Sequence, residues 1–151
     1  MLEFAHAAAG AIIAYKIGSP VLALPLAFGS HFLVDLLPHW NFNLDEEKQK
    51  NGKIPPKIMI FMVFDSFLGL ILGVSVAAKA LPNQLKALTV LIGAFLAVLP
   101  DLLEAPFYFW NVQNKFINQL LKFQKNHQEN IACWPGLAIQ VLFVFWLFLL
   151  V

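Results

Sequence analysis

Long apolar runs alternate along this chain with short polar breaks, and the breaks carry the residues that end or turn helices. Phe4 to Ile17 is apolar and rich in Ala and Gly. Gly18-Ser19-Pro20 reads as a turn, and Val21 to Leu37 follows with Pro20 near its first helical position, where a missing amide donor does no harm. These two segments predict a tight helical hairpin. Asn41 to Lys57 reads as a polar loop with Asp45-Glu46-Glu47, four lysines and Pro55-Pro56. Ile58 to Ala78 is then long enough to cross a hydrocarbon layer of ~30 Å. Leu81-Pro82-Asn83 turns the chain, Leu85 to Leu99 returns and is expected to close at Pro100, and Ile131 to Val151 makes a last span. Between Phe107 and Asn130 the pattern changes. Phe116, Ile117, Leu120 and Leu121 fall on one helical face and Lys115, Asn118, Gln119 and Lys122 on the other, which predicts an amphipathic helix. The aromatic run Phe107 to Trp110 beside it suits a headgroup layer.

The predicted fold is therefore all-α: an integral membrane bundle of about five transmembrane helices in a single domain, 1–151, with an interfacial helix before the final span. Composition points the same way. Residues with hydrophobic side chains make up 60% of the chain and charged residues only 13%, with a mean hydropathy of +0.72. A formal net charge of +1, with no basic cluster interleaved with aromatics, leaves no footprint for nucleic acid. The one cysteine, Cys133, excludes an intrachain disulfide and a thiolate cluster. Met1 to His6 lacks the basic n-region of a cleavable signal, so the first helix is expected in the mature protein.

Alternate crossings place the N-terminus, the Asn41 to Lys57 loop and the Ala105 to Asn130 segment on one side. Every acidic residue and every histidine falls there, together with seven of the ten lysines. The positive-inside rule then makes that side cytoplasmic and the protein a multi-pass membrane component. Only Lys16, Lys79 and Lys86 remain opposite.

Within this ionisable end, Gly29 to Trp40 is the richest stretch. His31 and Asp35 sit four apart on one helical face, and Pro38 is expected to end or kink the helix so that His39 returns to the same point. Ionisable groups at lipid depth are costly unless they line a cavity or hold an ion. His6, His31, Asp35, His39, Asp65 and Asp101 together offer six imidazole and carboxylate donors, which suit a divalent metal: zinc first, with manganese, iron or nickel also compatible. Four donors fill a closed zinc site, so six imply either two metals or an open site with supporting partners. Asp101, Glu104 and His127 are the candidates for moving protons beside it. A possible internal repeat pairs His6 and Gly10, ahead of Leu37-Pro38-His39, with Asp65 and Gly69, ahead of Leu99-Pro100-Asp101. In both halves the glycine is expected to let a neighbouring helix approach closely.

The order Ala5-His6-xxx-Gly10, Gly29-Ser30-His31-xxx-Asp35-xx-Pro38-His39, an Asp65 helix, Leu99-Pro100-Asp101 and a histidine before a final Pro135-Gly136 span resembles the small prokaryotic membrane-bound metal-dependent hydrolases. The resemblance covers most of the chain and is most specific from Ser30 to His39. It implies a metal-binding helical bundle with His6, His31, Asp35 and His39 at motif positions. Asp65 and Asp101 carry over less directly, and the Arg-Gly-x-Thr-His-Ser motif of such proteins is absent, with His127 its loose counterpart. The expected activity is hydrolysis of an ester or phosphoester of an amphiphilic substrate at the cytoplasmic interface, with membrane lipid as the surrounding partner. A divalent-cation or proton transporter and a structural bundle tied by metal are the alternatives; ligands gathered at one leaflet favour interfacial chemistry over transport.

Overall fold

A computed structural model describes residues 1–151 and is all-α, with seven helices and no strand. They are α1 (Glu3–Ile17), α2 (Pro20–Val34), α3 (Leu44–Asn51), α4 (Pro56–Lys79), α5 (Gln84–Trp110), α6 (Lys115–His127) and α7 (Cys133–Phe148). Helix α1 is the axis of the bundle, packed by α2, α4, α5 and α7. Its composition explains that position. Ala5, Ala7, Ala8, Ala9, Ala11 and Ala14 are all buried, and a helix that is small and apolar all round can be enclosed on every side.

Glycine sets the closest crossings. A Cβ at Gly93 of α5 would lie 2.7 Å from the Ala14 Cβ and 2.9 Å from the Gly10 carbonyl oxygen of α1, so the two backbones meet where neither residue has a side chain. On α4, a Cβ at Gly69 would come within 3.2 Å of the Ala7 Cβ and 3.3 Å of the Phe4 Cα. The expected close approaches at Gly10 and Gly69 are thus present, each against a different neighbour.

The outside of the bundle is apolar. Val21, Leu26, Ile60, Val63, Phe67, Leu88, Phe95, Leu142 and Phe145 are among the large side chains exposed on α2, α4, α5 and α7. Helices α4 and α5 are each long and apolar enough to cross a membrane; α2 and α7 are apolar but shorter.

Three boundaries differ from the sequence pattern. Helix α5 does not close at Pro100: it runs through Pro100 and Pro106 to Trp110 and ends at Asn111 in a left-handed conformation (φ 55°). Tertiary packing holds the helix across each proline, which forfeits the bond its own amide would have made and crowds the carbonyl one turn back. The aromatic run Phe107 to Trp110 therefore belongs to α5, and the amphipathic helix starts at Lys115. Finally, the polar loop contains α3, which has no apolar stripe to announce it. Asn43 caps it by accepting from the Glu46 amide at 3.2 Å, Asp45 to Glu47 fill its first turn, Lys48 and Lys50 its last, and Gly52 (φ 70°) ends it.

Candidate metal centre

The chemistry-bearing residues gather at one end of the bundle because α1 starts there, α2 ends there, and the second half of α5 passes through it. His6 lies one turn into α1. Its ring is fully buried and stacks on that of His31 from α2, with centroids 4.1 Å apart and planes at 23°. Asp101 comes from α5 just after Pro100. One ligand atom each from His6, His31 and Asp101 can be chosen so that all lie within 4.8 Å of one another, and this group can hold a metal ion.

Asp35 links this group to His39. Its Oδ1 lies 3.3 Å from His6 Nε2 and 3.9 Å from His39 Nε2, and its Oδ2 lies 3.5 Å from His31 Nε2. His31 Nε2 is also 3.5 Å from Asp101 Oδ1. For metal–ligand bonds of about 2.0–2.2 Å, the edge of a coordination tetrahedron is roughly 3.3–3.6 Å, so the closest of these spacings are those of donors around one ion. Asp35 is contacted further by the Met1 amino group, 2.5 Å from Oδ1, and by Gln128 Nε2, 3.3 Å from Oδ2.

The imidazole tautomers follow from their second nitrogens. His31 Nδ1 faces the Ala97 carbonyl at 2.8 Å, in the turn that Pro100 disrupts, and His39 Nδ1 faces the Leu37 carbonyl at 2.7 Å. A carbonyl only accepts, so in the neutral rings each Nδ1 carries the hydrogen and each Nε2 presents a lone pair. Lone pairs turned toward the Asp35 carboxylate repel it unless a cation or proton stands between them. Burial holds the His39 imidazole below its ordinary pKa, which favours the neutral, ligating form. Both ring nitrogens of His6 and Nε2 of His39 are buried without a hydrogen-bond partner. Such orphaned atoms are rare in folded proteins and are the fit expected of an ion's ligands.

Position 39 is fixed by backbone. The His39 amide donates to the Glu129 carbonyl at 3.0 Å and the His39 carbonyl accepts from the Ile131 amide at 2.8 Å, which ties the chain after α2 to the entry of α7. Gly136 of α7 packs against this joint, and a Cβ there would sit 2.6 Å from the Trp40 Cβ.

Asp65 is placed beside the cluster but engaged otherwise. Its Oδ2 accepts from the Glu3 amide at 2.7 Å and its Oδ1 from the Phe4 amide at 3.1 Å, so it caps α1, whose first amides have no intrahelical partner. The possible repeat therefore does not carry one role: His6 joins the imidazoles while Asp65 closes a helix end. His127 lies at the exposed end of α6, its Nδ1 on the Phe123 carbonyl at 2.8 Å and its ring stacked on Phe123. The fold does not bring it to the cluster.

Three glutamines and one loop carboxylate escape a reading based on ionisable groups and motifs. Gln124 of α6 places Nε2 2.8 Å from His31 Nε2 and donates to Asp101 Oδ1 at 3.0 Å. Gln128 reaches Asp35, and Gln140 of α7 accepts from the Leu2 amide at 2.8 Å while donating to the Trp40 carbonyl at 2.9 Å. The sequence signal for Gln124 was its seven-residue spacing from Ile117, which puts both on the inward face of α6; Phe116, expected to share that face, is exposed. Asp45, read from sequence as part of a solvated loop, instead meets Lys125 Nζ at 3.2 Å and the Tyr108 hydroxyl at 3.3 Å.

A cavity of about 540 Å³ adjoins the cluster, walled by α3, α4, α5, α6 and the start of α1. Asp101 belongs to both the cavity wall and the imidazole group, and Glu104 lines the cavity one turn further along α5. The chain matches no family model, no curated protein and no solved structure. Function has to be read from the site itself.

Proposed function

We propose that the chain is a membrane-bound, metal-dependent hydrolase. The observation that carries this reading is the convergence of His6, His31 and Asp101, with Asp35 and His39 beside them, at a point that Asp101 alone joins to the wall of a cavity large enough for a substrate head group. In this reading α1, α2, α4, α5 and α7 are five spans of a prokaryotic inner membrane. The short α1 is enclosed by its neighbours and need not match the lipid thickness by itself. The end bearing seven lysines and all nine acidic residues faces the cytoplasm. Helix α6 then lies at the interface, with its exposed Phe116 and Phe123 toward acyl chains.

His6, His31 and Asp101 would hold the ion, zinc by preference and manganese, iron or nickel as alternatives. Asp35 either completes the ligand set or orients the imidazoles from behind, as carboxylates beside ligating histidines do. A bound ion of this kind polarises a scissile carbonyl or phosphoryl oxygen and lowers the pKa of bound water toward ~7. The remaining work falls to the chain. Apolar residues of α4 and α5 admit the substrate from the bilayer. Asp101, shared between ligand group and cavity, places the reacting end against the cluster. Glu104, with a buried oxygen lacking any partner, is set to take the proton of the attacking water and deliver it to the leaving oxygen as the ester C–O bond breaks. His127 has no part in this scheme.

The gathering of donors at one end of the bundle supports interfacial chemistry over a transport pathway, which needs sites along the depth of the membrane. The test is turnover of amphiphilic ester and phosphodiester probes by zinc-loaded protein in lipid nanodiscs. Product release lost in His31→Ala, and cut more than tenfold in Glu104→Gln with metal retained, would support the reading (about 1.4 kcal/mol of barrier per tenfold). Equal release from wild type and His31→Ala would remove it.

A further inference from the structure

Helix α6 carries cations that nothing in the chain neutralises. No acidic residue occurs from Ala105 to Gln128, and of the lysines of α6 only Lys125 meets a carboxylate, that of Asp45. On α3, by contrast, Lys50 pairs with Glu46 and Lys48 donates to the Phe107 carbonyl. Lys115 and Lys122 are exposed and have no such partner. They share a stripe. Lys115, Asn118, Gln119 and Lys122 recur at helical spacings of three and four, on the side of α6 turned away from the buried Ile117 and Gln124. The two lysines stand about 10 Å apart along the helix axis, with the side-chain amides of Asn118 and Gln119 between them. These four residues border a shallow polar concavity to which no apolar and no acidic side chain contributes.

The neighbouring stripe says what kind of anion fits. Phe116 and Phe123 follow Lys115 and Lys122 around the helix, and they are 61% and 44% exposed. A soluble anion would answer the lysines and leave both rings in water. An uncharged bilayer would cover the rings and leave the charge unanswered. An anionic lipid surface does both, because lysine stems run along the acyl boundary while their ammonium groups reach the phosphates.

We propose that the outer face of α6 docks on anionic phospholipid, with Lys115 and Lys122 at head-group phosphates and Phe116 and Phe123 at the acyl boundary. This rests on the membrane placement in the reading above and not on turnover. Its consequence reaches the metal centre. The opposite face of α6 carries Gln124, whose amide nitrogen contacts His31 and Asp101. Lipid that fixes α6 thereby fixes the amide that an entering or leaving ion has to displace.

The experiment reconstitutes the full chain, loaded with zinc, in nanodiscs of phosphatidylcholine with and without phosphatidylglycerol. Lipids retained on the protein are counted by native mass spectrometry, and zinc release to a chelator is followed by stopped flow. The expected result is about tenfold enrichment of phosphatidylglycerol over phosphatidylcholine on the protein, with zinc release several-fold slower when phosphatidylglycerol is present. Lys115→Gln combined with Lys122→Gln should lose most of both effects. Lys53→Gln combined with Lys57→Gln removes the same charge from the same end of the bundle and should keep them. All four positions are exposed, so neither double variant threatens the fold. Equal retention of the two lipids, equal loss in the two double variants, zinc release indifferent to lipid charge, or displacement of phosphatidylglycerol by millimolar inorganic phosphate would overturn the proposal. In a preparation without bound zinc the lipid count decides alone. Selective retention of phosphatidylglycerol without any turnover would sustain the docking surface and sink the hydrolase; turnover without selective retention would do the reverse.

Discussion

Gln124 Nε2 lies 2.8 Å from His31 Nε2 across 93 residues of sequence, and the same amide nitrogen donates to Asp101 Oδ1. It stands between two members of the candidate ligand group, where a cation would satisfy both. Because the Ala97 carbonyl holds the His31 hydrogen on Nδ1, an ion entering at Nε2 has to displace this amide. Gln124→Ala is expected to speed metal uptake and loss several-fold, measured by stopped-flow exchange against a fluorescent chelator. Unchanged exchange would mean that the ion is held elsewhere.

Asp65 and Asp101 are separable by substitution. Asp65→Asn keeps one acceptor for the α1 amides but loses the charge at the helix N-terminus, and is expected to cost about 1 kcal/mol, a fall of ~2–4 °C in thermal midpoint, with metal content unchanged. Asp101→Asn is expected to abolish metal binding with a smaller effect on the metal-free midpoint. Metal lost from both variants would place Asp65 among the ligands after all.

Gly136→Ala tests the joint behind His39. The added methyl would press on Trp40 and the His39 backbone, since the close atoms belong to main chain and Cβ rather than to a flexible side-chain tip. Metal affinity is expected to fall about tenfold or more, in the range seen when groups supporting a ligand are disturbed. A chelator titration that leaves affinity unchanged would show that His39 stands outside the site.

The helices read from sequence are those whose apolar runs are bounded by Gly and Pro, and His31 with Asp35 was legible because a spacing of four sets both on one helical face. The return of His39 after Pro38 was legible for the same kind of reason, since a proline forbids the helix from continuing unchanged. Pro100 misled because tertiary packing holds α5 across it. Helix α3 was hidden because it has no apolar face. Asp65 drew attention as a carboxylate at depth, and only the fold reveals that its partners are the two amides at the start of α1. Gln128 and Gln140 could not be singled out, because an uncharged amide carries no signal of burial until the elements around it are placed, and the spacing of Gln124 from Ile117 marked its face but not its partners.

Topology is open to direct labelling. With Cys133 replaced, single cysteines at Lys50 or Lys53 should react with impermeant reagent only from the cytoplasmic side of membrane vesicles, and a cysteine at Lys79 only from the opposite side. Reaction from the reverse sides would invert the bundle and leave the site facing outward.

The central claim, that His6, His31 and Asp101 hold a divalent ion, is tested most directly by elemental analysis of the purified protein. Wild type expressed in zinc-supplemented medium is expected to retain close to stoichiometric metal through detergent extraction and gel filtration. His31→Ala, folded by circular dichroism and of unchanged elution volume, is expected to retain almost none. Equal metal in the two proteins, or none in wild type after reloading, would contradict the account.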